Sequence, residues 1–272
     1  MENVCYQMDP MVDSRISSVQ IGPFLLKSGN TRSKESQQLG EAAQDYLTYR
    51  HSAEDLVFCI CDGVGLSYSG GLAAKLLGDT LIDWMWREDC KFAEGERQFQ
   101  QRLTLFLSEL TVQASRVISD HPLPHGVSGM LREVLEEKRQ KGSQSMFVCG
   151  KVSYSSSGTH SMYIAWLGDT RIRLWGGGED RSYLLKGSFD VGNRWSSSEG
   201  IVDQGPFIYM NHDTHVSGIE ILQVYTDGLK AYDHWNRIPN DEEYNSLVED
   251  ALNQPDSDDI TFLELRFTDQ TR

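Results

Sequence analysis

The sequence predicts an α+β fold built mainly from antiparallel β-sheets. Strand-like runs come first, a long stretch with helical spacing of apolar residues follows, and strand-like runs then return. The repeated strand–helix–strand order of a doubly wound parallel sheet does not occur in the sequence. With 272 residues the chain can bury a sizeable core. We expect a loose N-terminal lead over residues 1–16 and a single domain over residues 17–268.

The first half of the chain predicts three strands and then three helices. Alternating or short buried apolar runs predict strands over 19–28, 45–50 and 56–65. Apolar residues at helical spacing predict helices over 72–88, 92–119 and 128–141.

The second half predicts antiparallel strands, because its apolar runs are broken by Gly, Ser and Asp. The runs are SMFVCGKVSYS, HSMYIAWLGDTRIRLWG, RSYLLKG, GPFIYMN and GIEILQVYTDG. A helix is expected over 241–252, where acidic residues in the first turn suit the helix dipole. A last strand is expected in DDITFLELRF, residues 258–267.

Composition excludes several classes of protein. The chain has 25 Lys and Arg against 40 Asp and Glu, a net charge of −15. Binders of nucleic acid or anionic membranes use basic residues to neutralise phosphate, so neither partner is expected. The five cysteines show no pairing pattern, which predicts reduced thiols. The N-terminus lacks a signal-peptide pattern, and the apolar runs are far shorter than a membrane span. Together these features predict a cytoplasmic protein.

Acidic residues stand at the ends of several predicted strands. They are Asp45, Asp62, Asp169, Asp227 and Asp258. A single Asp-Gly after a strand is ordinarily a turn. If these strands are neighbours, however, the carboxylates meet at one edge, where their repulsion is costly unless cations neutralise it. Oxygen ligands without His or Cys favour Mg²⁺ or Mn²⁺ over Zn²⁺. Gly63 has no Cβ, so its carbonyl could also approach an ion closely.

Six short motifs follow one another along residues 19–267. They are AQDY at 43–46, DGVG at 62–65 followed by SGGLAA, GSQSM at 142–146, LGDTR at 167–171, YTDGL at 225–229 and DDIT at 258–261. In this order they resemble the motifs of the PPM, or PP2C-type, metal-dependent protein serine/threonine phosphatases, in a bacterial-like form. One tetrapeptide would mean little, but the series covers nearly the whole chain.

The resemblance implies a fold, a reaction and a metal centre. The fold is a four-layer α-β-β-α sandwich of two antiparallel sheets flanked by helices. The reaction is hydrolysis of phosphoserine or phosphothreonine in a phosphoprotein substrate, which reverses the action of a partner serine/threonine kinase. It would proceed by direct attack of a hydroxide that bridges two Mn²⁺ or Mg²⁺ ions.

The resemblance also assigns roles to the strand-end residues. Asp62 would bridge the two ions, Asp227 and Asp258 would complete the first, and the Gly63 carbonyl would serve the second. Asp45 belongs to the first metal motif, and Asp169 matches a position that contributes to a third ion in bacterial members. Asp62 and Asp227 would be the catalytic residues.

The sequence departs from the family pattern in two places. The family carries a phosphate-binding Arg four residues before the first motif's Glu or Gln, and here Gly40 stands at that position. Arg32 would fill the role if 33–43 is an inserted loop, and is otherwise a solvated loop residue. The loop after DGVG is also longer. These departures leave an alternative: a catalytically weak regulatory or binding domain with the PP2C fold.

Two further alternatives concern the reaction and the substrate. A haloacid-dehalogenase mechanism needs Asp-x-Asp after the first strand and is set aside, because Val64 stands at the second acidic position. The segment between the LGDTR and YTDGL motifs varies most in the family. There, Arg194 and Trp195 either contact a phosphopeptide or anchor the segment to the core.

Overall fold

The computed structural model describes residues 3–87, 95–155 and 159–267. Strands in this part of the chain are β1 Val4–Gln7, β2 Ser14–Ile21, β3 Phe24–Thr31, β4 Tyr46–His51, β5 Asp55–Gly63, β6 Gln144–Tyr154, β7 His160–Leu167, β8 Arg171–Gly176, β9 Glu179–Asp180, β10 Arg194–Ser196, β11 Gly200–Val202, β12 Phe207–Asn211, β13 Ile221–Tyr225 and β14 Ile260–Phe267. Helices are α1 Lys34–Leu39, α2 Gly70–Arg87, α3 Glu96–Asp120, α4 Gly129–Lys141, α5 Thr214–Ser217 and α6 Asp241–Leu252. Two 3-10 segments span Ser182–Leu184 and Asp227–His234.

The strands form two antiparallel sheets. Sheet 1 has the order β1-β4-β5-β6-β10-β11, with β7 also paired to β6 and β12 paired to β7. Sheet 2 has the order β2-β3-β14-β13-β8-β9. The link between β7 and β8 carries the chain from sheet 1 to sheet 2 within a few residues. Each sheet therefore has one end close to residues 168–170.

The two sheets pack face to face and helices cover their outer surfaces. Inward-facing residues of sheet 2, such as Leu222 and Leu263, belong to one apolar cluster with the strands of sheet 1 and with α2 and α3. On the other face of sheet 2, Phe262 packs in a second cluster with Tyr244 and Leu247 of α6. Alternate residues of β13 and β14 thus serve different layers, as a period of two requires. The four-layer α-β-β-α sandwich is confirmed.

The predicted helices are confirmed with boundaries shifted by a few residues, and the end of the predicted helix over 72–88 and the start of that over 92–119 lie outside the described residues. Helix α6 begins with a capping box: the Asn240 side chain accepts from the Glu243 N–H, and the Glu243 carboxylate accepts from the Asn240 N–H. Among the described residues, no helix combines the length and apolarity needed to cross a membrane.

Three parts of the sequence differ from expectation. The predicted strand over 19–28 is a hairpin, because Gly22 has φ of +51° and turns the chain between β2 and β3. The run RSYLLKG is not a strand: its centre forms the 3-10 turn Ser182–Leu184. The lead over 1–16 is not loose over its described residues, since β1 pairs with β4 and Met8 is buried.

Helix α3 offers a direct test of how it packs. Leu107 is fully buried, whereas Leu105 on the same helix is 60% exposed. We expect Leu107→Ala to lower the free energy of unfolding by about 2 to 5 kcal/mol, because it leaves a cavity. Leu105→Ala should change it by less than about 0.5 kcal/mol. Urea unfolding measures both, and equal losses would contradict the packing of α3 through Leu107.

Candidate metal centre

The strand-end carboxylates of sheet 1 lie at one end of that sheet. In β5, Asp62 is opposite Met146 near the start of β6, and the last pair of β6 and β7 at this end is Phe147 with Leu167. Asp169 follows two residues after β7. Asp45 immediately precedes β4, whose first residue is opposite Cys61. The antiparallel register thus brings Asp45, Asp62 and Asp169 to the same end.

The strand-end carboxylates of sheet 2 lie at the matching end. Tyr225, the last residue of β13, pairs with Phe262 of β14 on one side and with Arg171 of β8 on the other. Asp227 therefore emerges close to Asp258, which precedes β14 by two residues.

Hydrogen bonds join the two sheet ends at this point. The Thr226 hydroxyl donates to Asp45 Oδ2 at 2.7 Å, although the two residues are 181 positions apart in the chain. The Asp259 carboxylate accepts from two backbone N–H groups, that of Ser33 at 2.7 Å and that of Gln44 at 2.5 Å. Loops from both sheets are therefore fixed around one region.

Two glycines allow close backbone contacts there. A Cβ on Gly63 would lie 2.4 Å from the carbonyl carbon of Gly70 and 2.7 Å from the Gln44 oxygen. A Cβ on Gly228 would lie 2.2 Å from the Asp259 oxygen. Neither position has room for a side chain. The DGVG and YTDGL motifs thus need their glycines because of packing, independently of any metal.

Burial and mutual repulsion raise the pKa values of the clustered carboxyl groups. Burial is the largest cause for Asp45 and Asp62, and neighbouring carboxylates add to it. Burial, followed by the charges of Asp169 and Asp258, raises the pKa of Asp227 from its ordinary 3.8 to about 6. Desolvation and like charges both disfavour the ionised forms, so a cation placed among them would be strongly favoured.

Asp169 carries a buried acceptor without a partner. The residue is 5% exposed, and among the described residues its Oδ1 atom accepts no hydrogen bond. Burial raises its pKa, while the positive charge of Arg171 opposes the increase. Arg171 also donates to the Asp169 carbonyl and pairs with Asp233 at 3.1 Å. Arg171 thus tethers the turn that holds Asp169 to the 3-10 segment that starts at Asp227.

The donor set fits a hard divalent cation. It consists of carboxylates and a backbone carbonyl, it includes an unsatisfied buried oxygen, and Asp62 and Asp227 are half-buried rather than sealed from solvent. Among the described residues, no three His, Cys, Asp or Glu side chains are already gathered closely enough to hold an ion. Carboxylates that repel one another need a cation to bring them closer.

Arg32 lies near the carboxylates but is engaged with Asp13. Its Nε and Nη2 atoms each donate to that carboxylate at 3.1 Å, and Nη1 donates to the Glu41 carbonyl at 3.2 Å. Residues 34–39 of the expected insert form α1, which the Ser33 side chain caps and Gly40 ends in the left-handed region. The sequence pattern did not reveal this short helix.

Trp195 and Arg194 both hold the variable segment in place. Trp195 is fully buried, and its Nε1 atom donates to the Leu107 carbonyl at 3.0 Å, so it anchors the segment to α3. Arg194 donates to Gln144 Oε1 at 2.8 Å and to the Gly192 carbonyl at 3.2 Å. The contacts of Trp195 leave it no exposed surface for a peptide.

A cleft of about 330 Å³ opens beside Asp45, lined mainly by residues 41–46 and 65–72. Lys75 of α2 is also part of its wall, where its ammonium group donates to Asp79 at 2.9 Å and to the Tyr46 hydroxyl at 3.1 Å. Strand-end patterns did not single out Lys75, because its position depends on how α2 lies across β4.

Sequence reasoning missed the roles of Asp259, Thr226 and Asp190. Asp259 was visible as part of DDIT, but only the fold shows that it fixes two loops. Asp190 donates its N–H to the Gly168 carbonyl, and its carboxylate adds to the negative field at Asp169. No local pattern in the sequence marks this contact.

Comparison with known proteins shows the fold. No family profile and no curated protein matches the sequence. Among solved structures, a bacterial serine phosphatase has a TM-score of 0.57 at 14% identity, covering 91% of this chain and 99% of that one. A serine/threonine phosphatase from Staphylococcus aureus has 0.56 at 14%, covering 89% and 94%. A phosphatase from Toxoplasma gondii has 0.57 at 8%, covering 94% and 96%.

The raised pKa of Asp227 predicts how stability depends on pH without metal. The folded state holds this proton more tightly than the unfolded state, so the stability that the protonated group contributes is present below about pH 4 and is lost as pH rises through about 6. In chelator, Asp227→Asn should match the parent near pH 4 and exceed its unfolding free energy by up to about 2 kcal/mol at pH 7.

Urea unfolding across this pH range checks the prediction, with Asp120→Asn on the exposed end of α3 as a control. A gain from Asp227→Asn that does not change with pH would contradict it.

Proposed function

We propose that this chain is a metal-dependent protein serine/threonine phosphatase of the PPM or PP2C type. The observation that carries the proposal is the meeting of the motif carboxylates at one end of the sandwich, where burial and like charge raise their pKa values. Such a cluster is costly for stability alone, and perturbed groups of this kind concentrate at functional sites. The likeness to solved phosphatases supports the same reading through the fold.

The chain's own residues divide the work of holding the cations. Asp62 would hold both of two Mn²⁺ or Mg²⁺ ions. Asp227 and Asp258 would serve as ligands of the first ion, and the Gly63 carbonyl would serve the second. When bound, the ions activate water for attack on phosphorus and offset the charge of the phosphoryl oxygens. Asp169 would contribute to a third ion.

Other residues of the site position these ligands. Thr226 orients the Asp45 carboxylate by donating to its Oδ2 atom. The other oxygen, Oδ1, would then be the one that faces a metal ion. Asp259 fixes the backbone of Ser33 and Gln44, so the loops that frame the cleft cannot separate. Preorganised groups of this kind lower the cost of ordering the site when substrate binds.

The substrate we propose is a phosphoprotein that carries phosphoserine or phosphothreonine, the product of a serine/threonine kinase. The cleft beside Asp45 is open to solvent and bordered by the half-buried serines Ser67 and Ser69. A phosphorylated side chain on an extended segment can reach such a site without unfolding of the partner.

A catalytically weak binding domain is the second candidate, and the pairing of Arg32 with Asp13 favours it, because this pair occupies the guanidinium group. Calorimetry with Mn²⁺ separates the two. The enzyme should bind Mn²⁺ in the micromolar to millimolar range, whereas a chain that binds none would favour the binding domain.

Replacing the bridging carboxylate tests the proposed roles. We expect Asp62→Asn to abolish Mn²⁺-stimulated hydrolysis of para-nitrophenyl phosphate and of a phosphopeptide, because the bridging negative charge is lost while the fold remains. Asp83→Asn, on the exposed surface of α2, should keep the parental activity. Near-normal stimulation in both Asp62→Asn and Asp227→Asn would refute the assignment.

Arg32 is tested through its partner. If its guanidinium binds the substrate phosphate, Arg32→Gln should lower kcat/KM for a phosphopeptide by about tenfold, mainly through KM, since a charge-assisted pair is lost. Asp13→Asn should not lower it, because this change frees the guanidinium from its pair. Steady-state kinetics with matched circular dichroism spectra decide the matter. Equal losses in both variants would mean that the pair serves the loop structure instead.

A further inference from the structure

A second pocket, separate from the carboxylates, lies between α4 and the connection that precedes it. It has a volume of about 340 Å³ and is lined by the connection over 123–127 and by two side chains of α4, Arg132 and Arg139. This size falls at the lower end of the range for small-ligand sites, about 300 to 1,000 Å³. We call it the basic pocket.

The basic pocket concentrates positive charge on an acidic protein. Arg132 and Arg139 are seven residues apart, so they lie on the same face of α4, and His125 joins them from the connection. Among the described residues that line this pocket, none is acidic, although the whole chain carries −15. Arg132 pairs through Nε with Glu136 at 2.8 Å, and both side chains are more than a third exposed, so this pair is weak.

The start of α4 adds backbone donors on the side of Arg132, whereas Arg139 lies in the last turn of the helix. The helix runs for 13 residues from Gly129, and the Ser128 side chain makes no capping hydrogen bond in this part of the structure. The first N–H groups of the helix therefore point toward the end where residues 126 and 127 line the pocket. Side-chain and backbone donors together suit a tetrahedral oxyanion.

Hydrogen bonds link the basic pocket to the cleft of the candidate active site, although no residue lines both. The Tyr68 hydroxyl donates to the carbonyls of His121 and Pro122, at 3.2 and 3.1 Å, and Arg139 Nη1 donates to the same His121 carbonyl at 3.3 Å. Tyr68 also lines the cleft beside Asp45. Tyr68 of the cleft and Arg139 of the basic pocket therefore lie close together, because both bond to the His121 carbonyl.

We infer that the basic pocket binds a second phosphate group of the same phosphoprotein whose phosphoserine enters the cleft. This inference rests on the proposed phosphatase function. Arginine recognises phosphate through paired N–H donors, and phosphate is the ligand that best matches two guanidinium groups and a helix start. The pocket thus makes the enzyme selective for clustered phosphorylation sites. Inorganic phosphate, the reaction product, offers the same chemistry, so the experiment separates the two sources.

Binding is measured first, on the full chain in chelator so that no turnover occurs. Backbone amide signals of Gly126 and Val127 are followed by NMR during titration with inorganic phosphate, a singly phosphorylated peptide, and doubly phosphorylated peptides that differ in the separation of their phosphoserines. We expect the doubly phosphorylated peptides to shift these signals at the lowest concentration. Arg132→Gln should weaken that binding about tenfold, whereas Arg116→Gln, exposed on α3 and outside the pocket, should not.

Kinetics then test selectivity. With Mn²⁺, the parent should have a kcat/KM about tenfold higher for the best doubly phosphorylated peptide than for its singly phosphorylated form, a difference of about 1.4 kcal/mol. Arg132→Gln and Arg139→Gln should reduce this ratio toward one, Arg139→Lys should keep part of it, and Arg116→Gln should leave it unchanged. Arg139 also donates to the His121 carbonyl, so its replacement could act by changing the loop structure. Arg132 makes no such contact in the described structure, so a loss in Arg132→Gln reports on the pocket itself.

Several outcomes would overturn the inference. One is the absence of any shift at Gly126 and Val127 with every phosphate ligand, and another is equal weakening by Arg116→Gln. Tighter binding of inorganic phosphate than of any doubly phosphorylated peptide would make the pocket a product site and refute the substrate role. Loss of all hydrolysis with Mn²⁺ would instead refute the proposed function, while the binding measurements would still decide whether the pocket takes phosphate.

Discussion

Repulsion among buried carboxylates at one end of the sandwich is the constraint on which the rest of this structure depends. Asp45, Asp62, Asp169 and Asp227 come from four separate chain segments, and burial and like charge raise the pKa of each. A fold selected for stability alone would replace such groups by apolar residues. Under the proposed function, bound cations would offset this cost and give an acidic protein affinity for phosphate.

The scaffold holds this unfavourable arrangement with many small contacts. Thr226 bonds Asp45, the Asp259 carboxylate joins two loops, and Arg171 ties its own strand to Asp233. Around them, Trp195 fixes the variable segment on α3. Burial of apolar side chains in the large core between the sheets offsets the destabilisation caused by the repelling carboxylates. The repelling carboxylates are thus concentrated at the end of the sandwich, where the strands stop.

Sequence patterns predicted correctly those features that depend on neighbouring residues alone. Periods of two and of 3.6 residues located the main strands and helices, and strand-end aspartates identified the carboxylate cluster as a hypothesis. Two predicted strands were wrong. The positive φ of Gly22 divides the first into a hairpin, and the RSYLLKG run forms a 3-10 turn instead of pairing with another strand. The patterns also failed at α1, because a short helix held by Ser33 and Gly40 has too little apolar periodicity to show.

The sequence by itself determined the main element types, the antiparallel α+β class and the strand-end carboxylates that we propose as cation ligands, because hydrophobic period and side-chain chemistry are local properties. Tertiary structure decided which of those residues meet and what surrounds them. The Thr226–Asp45 bond, the capture of Arg32 by Asp13 and the pairing of Arg132 and Arg139 around one pocket depend on strand register and helix placement. Such contacts join residues far apart in the chain, and only the packing of the whole core sets their distances.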